Sequence, residues 1–241
     1  MPSFDNPGHI LITGASSGIG AALAIAYAAP KRRLSLGGRD DARLNAVAEA
    51  CRANGAACET HKVDVTDRDG MATWLEAADS ERALDLVIAN AGISGGTIKL
   101  GNAPNASDAE IFATNVDGVV YSVEPALARM LAHNAGQIAI VSSLASFHAF
   151  GEAPAYCASK AAVRYYGEGL QRAHRGSAVG ISVICPGFVR SPMTDANNFR
   201  MPMLMEADKA AQRIIRGLAA GKSRVAFPLP LYLGIRMLSL I

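Results

Sequence analysis

The chain has 241 residues, 50% hydrophobic and 18% charged, and its 23 basic and 21 acidic residues leave a net charge of +2. That length suffices to bury one large core, and so even a charge balance argues against a nucleic-acid partner. No run reaches the ~18 apolar residues of a spanning helix, and the opening MPSFDNPGHI lacks a basic segment followed by an apolar one, so no secretory signal is expected.

The strands are predicted at His9–Thr13, Leu34–Gly37, Glu59–Val63, Leu84–Ala89, Gln137–Ser142, Gly180–Cys185 and Arg224–Phe227. Helical periodicity falls between them, at 19–29, 41–53, 68–78, 107–133, 155–175 and 206–220. Many of the strands are continuously apolar, as expected when both faces of a sheet are covered. Alternating strand and helix implies right-handed crossovers and an α/β fold: a doubly wound, seven-stranded, mostly parallel sheet with helices on both faces. With no linker-like tract, residues 1–241 read as a single domain. In such sheets ligands bind beyond the carboxyl ends of the strands, so the turns there are where chemistry is expected.

The first strand runs into Thr13-Gly14-Ala15-Ser16-Ser17-Gly18-Ile19-Gly20 and then an apolar helix. A sharp turn that approaches a phosphate and opens a helix needs glycines, because a Cβ would block each step. The placement between strand and helix favours nucleotide binding over a merely flexible turn. After the second strand stands Arg39, where a carboxylate would otherwise meet a ribose hydroxyl; an arginine suits a 2′-phosphate. Asp64 and Val65 follow the third strand, and Asn90-Ala91-Gly92 the fourth.

Tyr156 and Lys160 are four apart in PAYCASK, on one face of a predicted helix. A free phenol has a pKa of about 10, and a nearby ammonium favours its phenolate. A shift of two to three units corresponds to roughly 3–4 kcal/mol, within reach of two cations in a partly dry cleft. The four cysteines (51, 58, 157, 185) show no CxxC spacing and are expected as free thiols in a reducing, cytoplasmic compartment. The five histidines are scattered, so no metal site is expected.

TGASSGIG, NAG (90–92), SS (142–143), YCASK (156–160) and CPGFV (185–189), in this order, resemble the short-chain dehydrogenase/reductase family over about residues 8–227. The resemblance implies a Rossmann-type domain that moves hydride between NAD(H) or NADP(H) and a small carbonyl or alcohol. It implies that Asn115, Ser143, Tyr156 and Lys160 are catalytic. Asn115 would hold a local helix distortion, and Ser143, with Ser142 facing away, would hold the substrate oxygen. The implied cofactor contacts are Gly14, Ser16, Ser17, Gly18, Ile19, Gly20, Arg39, Asp64, Val65, Asn90, Ala91, Gly92, Tyr156, Lys160, Pro186, Gly187 and Val189. NADP(H) is preferred on Arg39, with NAD(H) possible. Ser143, Leu144, Phe150, Tyr156 and Phe188 are expected to face the substrate, covered by residues 190–206. The methionines and phenylalanines there favour a lipophilic ketone or secondary alcohol. A homodimer or homotetramer through residues 107–133 and 155–175 is implied as well.

The apolar tail, residues 228–241, has three readings: a subunit interface, a wall of the substrate pocket, or, less favoured, peripheral contact with a membrane. Two other functions stay open beside the leading one, a cofactor-binding regulator without turnover and a dehydratase or epimerase on the same scaffold.

Overall fold

The computed structural model describes residues 5–95 and 106–238; the last three residues of the predicted tail lie outside them. Seven strands form one sheet in the order β3-β2-β1-β4-β5-β6-β7. They are β1 (His9–Thr13), β2 (Arg33–Gly38), β3 (Ala57–Lys62), β4 (Leu86–Ala89), β5 (Gly136–Val141), β6 (Val179–Pro186) and β7 (Arg224–Phe227). Every pairing is parallel, so the expected "mostly parallel" sheet is wholly so.

Strand periodicity divides the core. Ile10, Ile12, Leu34 and Leu36 face one side, where they pack with Leu23 of α1 (Gly18–Tyr27), Leu44 of α2 (Asp41–Ala53) and Ile214 of α8 (Ala207–Ala219). Leu11, Val87, Ile138 and Ile140 face the other. There they meet Trp74 and Leu75 of α3 (Arg68–Glu81), Val123 of α5 (Gly118–His133) and Val163 of α6 (Pro154–Ala173). Each fully buried Leu or Ile contributes about 1.5–3 kcal/mol by leaving water.

Three local features refine the sequence reading. Strand β3, at Ala57–Lys62 and not Glu59–Val63, is an edge strand with an exposed polar face: Glu59 and Lys62 are exposed while Cys58 is buried. The predicted helix over 107–133 is broken into α4 (Asp108–Phe112), a π-helical turn over Ala113–Asp117, and α5. Within the tail, Leu229–Leu238 forms a helix, α9, despite Pro230, which sits in its first turn where a missing N–H costs nothing. One further short helix, α7 (Pro192–Asp195), follows β6.

Asp79 of α3 is nearly buried and fastens α3 to α5. Its carboxylate accepts from the Leu84 backbone N–H at 2.9 Å and lies 2.9 Å from His133 Nε2 and 3.5 Å from Arg129 Nη1. Burial alone raises its pKa, but the His133 and Leu84 hydrogen bonds and the Arg129 charge outweigh it and hold the carboxyl below its ordinary value. A depressed folded-state pKa contributes stability above the unfolded value of about 3.9 and loses it as pH falls through the folded value. D79N is therefore expected to cost about 1–3 kcal/mol at pH 7, and urea unfolding at stepped pH should show the gap to wild type narrowing in acid.

Candidate active site

The turns after β1 and β4 are bound to each other. Thr13 Oγ1 accepts from the backbone N–H groups of Asn90 (3.0 Å) and Ala91 (3.1 Å), and Asn90 Nδ2 donates to the carbonyls of Thr13 (2.9 Å) and Gly14 (3.1 Å). That closeness is why the glycines are there. Gly14 has φ +64°, and a Cβ on it would lie 2.8 Å from Ala91 Cα. A Cβ on Gly20 would lie 2.3 Å from the Gly14 carbonyl oxygen. Gly18, at φ +53°, opens α1 behind its N-cap Ser17, whose side chain makes no capping bond. The first-turn N–H groups of a ten-residue helix thus lack a side-chain cap at the carboxyl edge of the sheet. Ser16 sits beside the end of β2, where a Cβ on Gly38 would lie 3.5 Å from its Oγ. Ile19 packs on the core below.

Next to this turn, the Arg39 side chain is 64% exposed and its Nη1 lies 3.7 Å from Asp64 Oδ2. Asp40, the neighbouring carboxylate, is already used: it caps α2 through the Arg43 N–H (3.0 Å) and takes Arg43 Nε at 2.7 Å. Asp64 Oδ1 accepts from the Thr66 N–H and hydroxyl at 3.0 and 2.9 Å. Partial burial pushes the Asp64 carboxyl up, but the Thr66 bonds and the Arg39 charge hold it below its ordinary value. Val65 is buried, its side chain so close that a Cβ on Gly118 would lie 2.5 Å from it.

Four of the predicted catalytic residues converge across β5, the π-turn and α6. Ser143 follows β5 as the cap of a 3-10 turn over Leu144–Phe147, and its Oγ accepts from the Ala145 N–H at 3.1 Å. Ser142 faces the other way and donates to the Lys160 carbonyl at 2.7 Å. Lys160 is 3% exposed; its Nζ donates to the Val141 carbonyl at 3.1 Å and lies 5.8 Å from the Tyr156 ring centre. Asn115 is fully buried in the π-turn. Its Oδ1 accepts from the Ile93 N–H at 2.8 Å, and its Nδ2 donates to the Ile93 carbonyl at 2.9 Å and to Ser159 Oγ at 3.0 Å. Gly92 lets these groups meet, since a Cβ there would be 3.0 Å from Lys160 Nζ and 3.1 Å from Asn115 Oδ1.

The electrostatics correct one expectation. From sequence, Lys160 should lower the phenol. In the folded chain burial prevails and holds Tyr156 above its ordinary value, with Ser143 opposing. The residue as a whole is partly exposed, but its hydroxyl end is enclosed by protein. The same enclosure brings Lys160 down to about 8.

Two polar residues absent from the sequence-based set complete the framework. Ser159 takes the Asn115 bond and donates to the Tyr156 carbonyl at 2.8 Å. Thr13 joins the two turns. The available signal was position: Ser159 is a hydroxyl three residues after Tyr156, within reach of its carbonyl on a helix, and Thr13 closes an apolar strand directly before a glycine.

The expected substrate-facing residues fall into two groups. Leu144 is 2% exposed and packs with Phe147, Cys185 and Ile235, with Phe150 and Leu231 alongside. Phe188 meets Phe199 edge-on at 5.8 Å instead. Between the groups, the Gly187 N–H donates to the Phe227 carbonyl at 2.7 Å, and a Cβ on Gly187 would lie 3.1 Å from Leu231. Pro186 ends β6, and Val189 pairs with Met205. Helix α9 therefore lies against the back of this region through Leu231, Tyr232 and Ile235, with Leu229, Leu233 and Met237 more than half exposed outside.

The family model for short chain dehydrogenase matches residues 8–201. An uncharacterized oxidoreductase of Myxococcus xanthus is 38% identical, across 94% of this chain and 90% of its own length. A short-chain dehydrogenase/reductase from Burkholderia phymatum, solved in complex with NAD, is 25% identical with a TM-score of 0.86, covering 97% of this chain and 93% of its own. A short-chain dehydrogenase from Sphingobium yanoikuyae, solved with NADPH, superposes with a TM-score of 0.81 at 24% identity, covering 92% and 88%. The chain belongs to the short-chain dehydrogenase/reductase family.

Proposed function

We propose that this chain is an oxidoreductase that moves hydride between NADP(H) and a lipophilic ketone or secondary alcohol, with Tyr156 as general acid and base. The observation that carries the reading is the convergence of Ser143, the buried Lys160 and Asn115 with Tyr156 at the carboxyl edge of the sheet. The fit of a dinucleotide rests on the glycine turn over residues 13–20, which opens α1 at the carboxyl edge of the sheet without a side-chain cap. The two solved relatives, one in complex with NAD and one with NADPH, support a nicotinamide cofactor.

The residues that would hold the cofactor are the Gly14–Gly20 turn at the phosphates, Arg39 and Asp64-Val65 at the adenosine end, and Asn90–Gly92, Lys160 and Pro186–Val189 toward the nicotinamide. When bound, the nicotinamide supplies or accepts the hydride. Ser143 donates a hydrogen bond to the substrate oxygen and fixes it beside the phenol. In reduction Tyr156 gives its proton to that oxygen as negative charge develops on it; in oxidation it takes the proton back. Lys160 keeps its ammonium below about pH 8, and its charge favours the phenolate. Asn115 and Ser159 position the helix that carries both. The apolar Leu144, Phe150, Phe188 and Phe199 favour a lipophilic substrate over a sugar or an acid.

Y156F is expected to lower kcat by roughly 10²–10⁴-fold while still quenching or shifting cofactor fluorescence on binding; wild-type turnover in this variant would overturn the assignment. S159A removes one hydrogen bond that positions Tyr156. Its loss of about 0.5–1.5 kcal/mol predicts a several-fold lower kcat and a displaced pH profile of turnover, read by steady-state kinetics across pH. With Asp40 engaged by α2, Arg39 is left as the discriminating side chain. R39A is expected to reduce the preference for NADPH over NADH by roughly ten- to a hundredfold, measured as the ratio of kcat/KM; an unchanged ratio would remove the NADP assignment.

A further inference from the structure

Tyr156, Lys160, Arg164 and Glu168 stand four apart on α6, so they form one stripe along the helix. The mechanism above uses only the first two. Arg164 is 8% exposed and reaches the turn that follows Ser143. Its Nη2 donates to the Ser146 carbonyl at 3.3 Å, and its guanidinium lies 4.5 Å from the centre of the Phe147 ring. We propose that Arg164 is a positioning residue for hydride transfer: aimed by Glu168, it grips the 3-10 turn over Leu144–Phe147 and so fixes Ser143 against Tyr156. This role rests on the function proposed above.

Helix α6 holds the end of β5 at two levels, with Ser143 between them. Before Ser143, Lys160 Nζ donates to the Val141 carbonyl at 3.1 Å, and Ser142 Oγ donates to the Lys160 carbonyl at 2.7 Å. After it, Arg164 takes the Ser146 carbonyl and the Phe147 ring. Inside the turn the Ser146 N–H donates to the Ser143 carbonyl and the Ala145 N–H to Ser143 Oγ, both at 3.1 Å. A displacement of Ser146 is therefore passed to the backbone and hydroxyl of Ser143. The apolar packing of Leu144 and Phe147 buries the turn, but it is non-directional.

Glu168 aims the arginine. Its carboxylate lies 3.2 Å from Arg164 Nη1 and 2.5 Å from Arg224 Nη2. Burial pushes the Glu168 carboxyl up, but the two arginines hold it below its ordinary value, so it is ionised at neutral pH. A buried ion pair is weak ground for stability, since apolar residues of similar size often replace it without loss. What an apolar side chain cannot supply is the donor to Ser146. With Arg224 still on Glu168, removing Arg164 leaves that carboxylate paired. Its removal should therefore fall on turnover more than on stability.

The test compares R164M, R164K and D79N with the wild type. Hydrogen exchange by mass spectrometry reads the turn without a substrate: peptides covering residues 142–150 should exchange faster in R164M, and those covering α1 should not change. Turnover is read with NADPH and NADH on a panel of lipophilic ketones, acetophenone and cyclohexanone among them. R164M is expected to lower kcat by roughly ten- to a hundredfold, with the KM for cofactor unchanged. R164K keeps a charge for Glu168 but lacks the planar fork. It should lose several-fold in kcat at a thermal midpoint close to wild type, and it decides the matter if R164M folds poorly. D79N should lower the midpoint and keep kcat. In an S143A background R164M should lower kcat no further, because the residue it acts through is gone. Unchanged exchange over 142–150, wild-type kcat in R164M, or an equal loss from R164M with and without Ser143 would overturn this role alone. S143A with wild-type turnover, or a wild-type chain that reduces none of the ketones, would overturn the proposed function and this role with it.

Discussion

Four hydrogen bonds between the turns after β1 and β4 hold the two halves of the sheet in one arrangement at their carboxyl ends. From β1 the chain steps outward through β2 and β3, then returns to lay β4 on the other side of β1. The reversal opens a crevice at that point. Thr13 and Asn90 close its floor, and their bonds satisfy backbone groups that would otherwise be buried without partners. The same closeness forbids a side chain at Gly14 and Gly20. The glycine pattern and the polar bridge are two sides of one constraint: neither makes sense without the other.

A second constraint is dielectric. Enclosing Tyr156 and Lys160 disfavours the charged form of each, so burial raises the phenol and brings the ammonium down to about 8. Proximity on a helix face suggests a ready-made acid and base. The folded chain is more demanding, because the ammonium is 5.8 Å from the ring and already bonded to the Val141 carbonyl. Ser143 pulls the phenol in the useful direction. In the proposed mechanism the remaining shift comes from positive charge gathered at the site, which acts more strongly in an enclosed cleft than in water.

Much of this was legible in the sequence because it is local. Strands read as apolar runs, the turn over residues 13–20 shows its glycines, and Tyr156 and Lys160 share a face by spacing alone. What escaped has its cause elsewhere in the chain. A distortion at Asn115 was implied by the resemblance alone; the π-turn at Ala113–Asp117 adds about one residue for a single turn, too little to disturb the apolar spacing over 107–133, and Asn115's partners are at Ile93 and Ser159. The polar face of β3 follows from its place at the sheet edge, which only the strand order reveals. Asp79 finds His133 across 54 residues, a separation that no window captures.

The wall behind α6 is built differently from the rest of the core. Arg164, one turn beyond Lys160 on α6, places its guanidinium 4.5 Å from the centre of the Phe147 ring, and those of Arg224 and Arg236 lie 5.6 Å from it. Glu168 sits between two of these cations, 3.2 Å from Arg164 and 2.5 Å from Arg224. Tyr232 of α9 meets the same ring edge-on at 5.2 Å. One aromatic face thus gathers α6, β7 and α9, and with them the segment that begins at Ser143. Cation–π and charge-assisted contacts fix direction where apolar packing alone does not. Helix α9 is thereby held in register with α6, the helix that carries Tyr156.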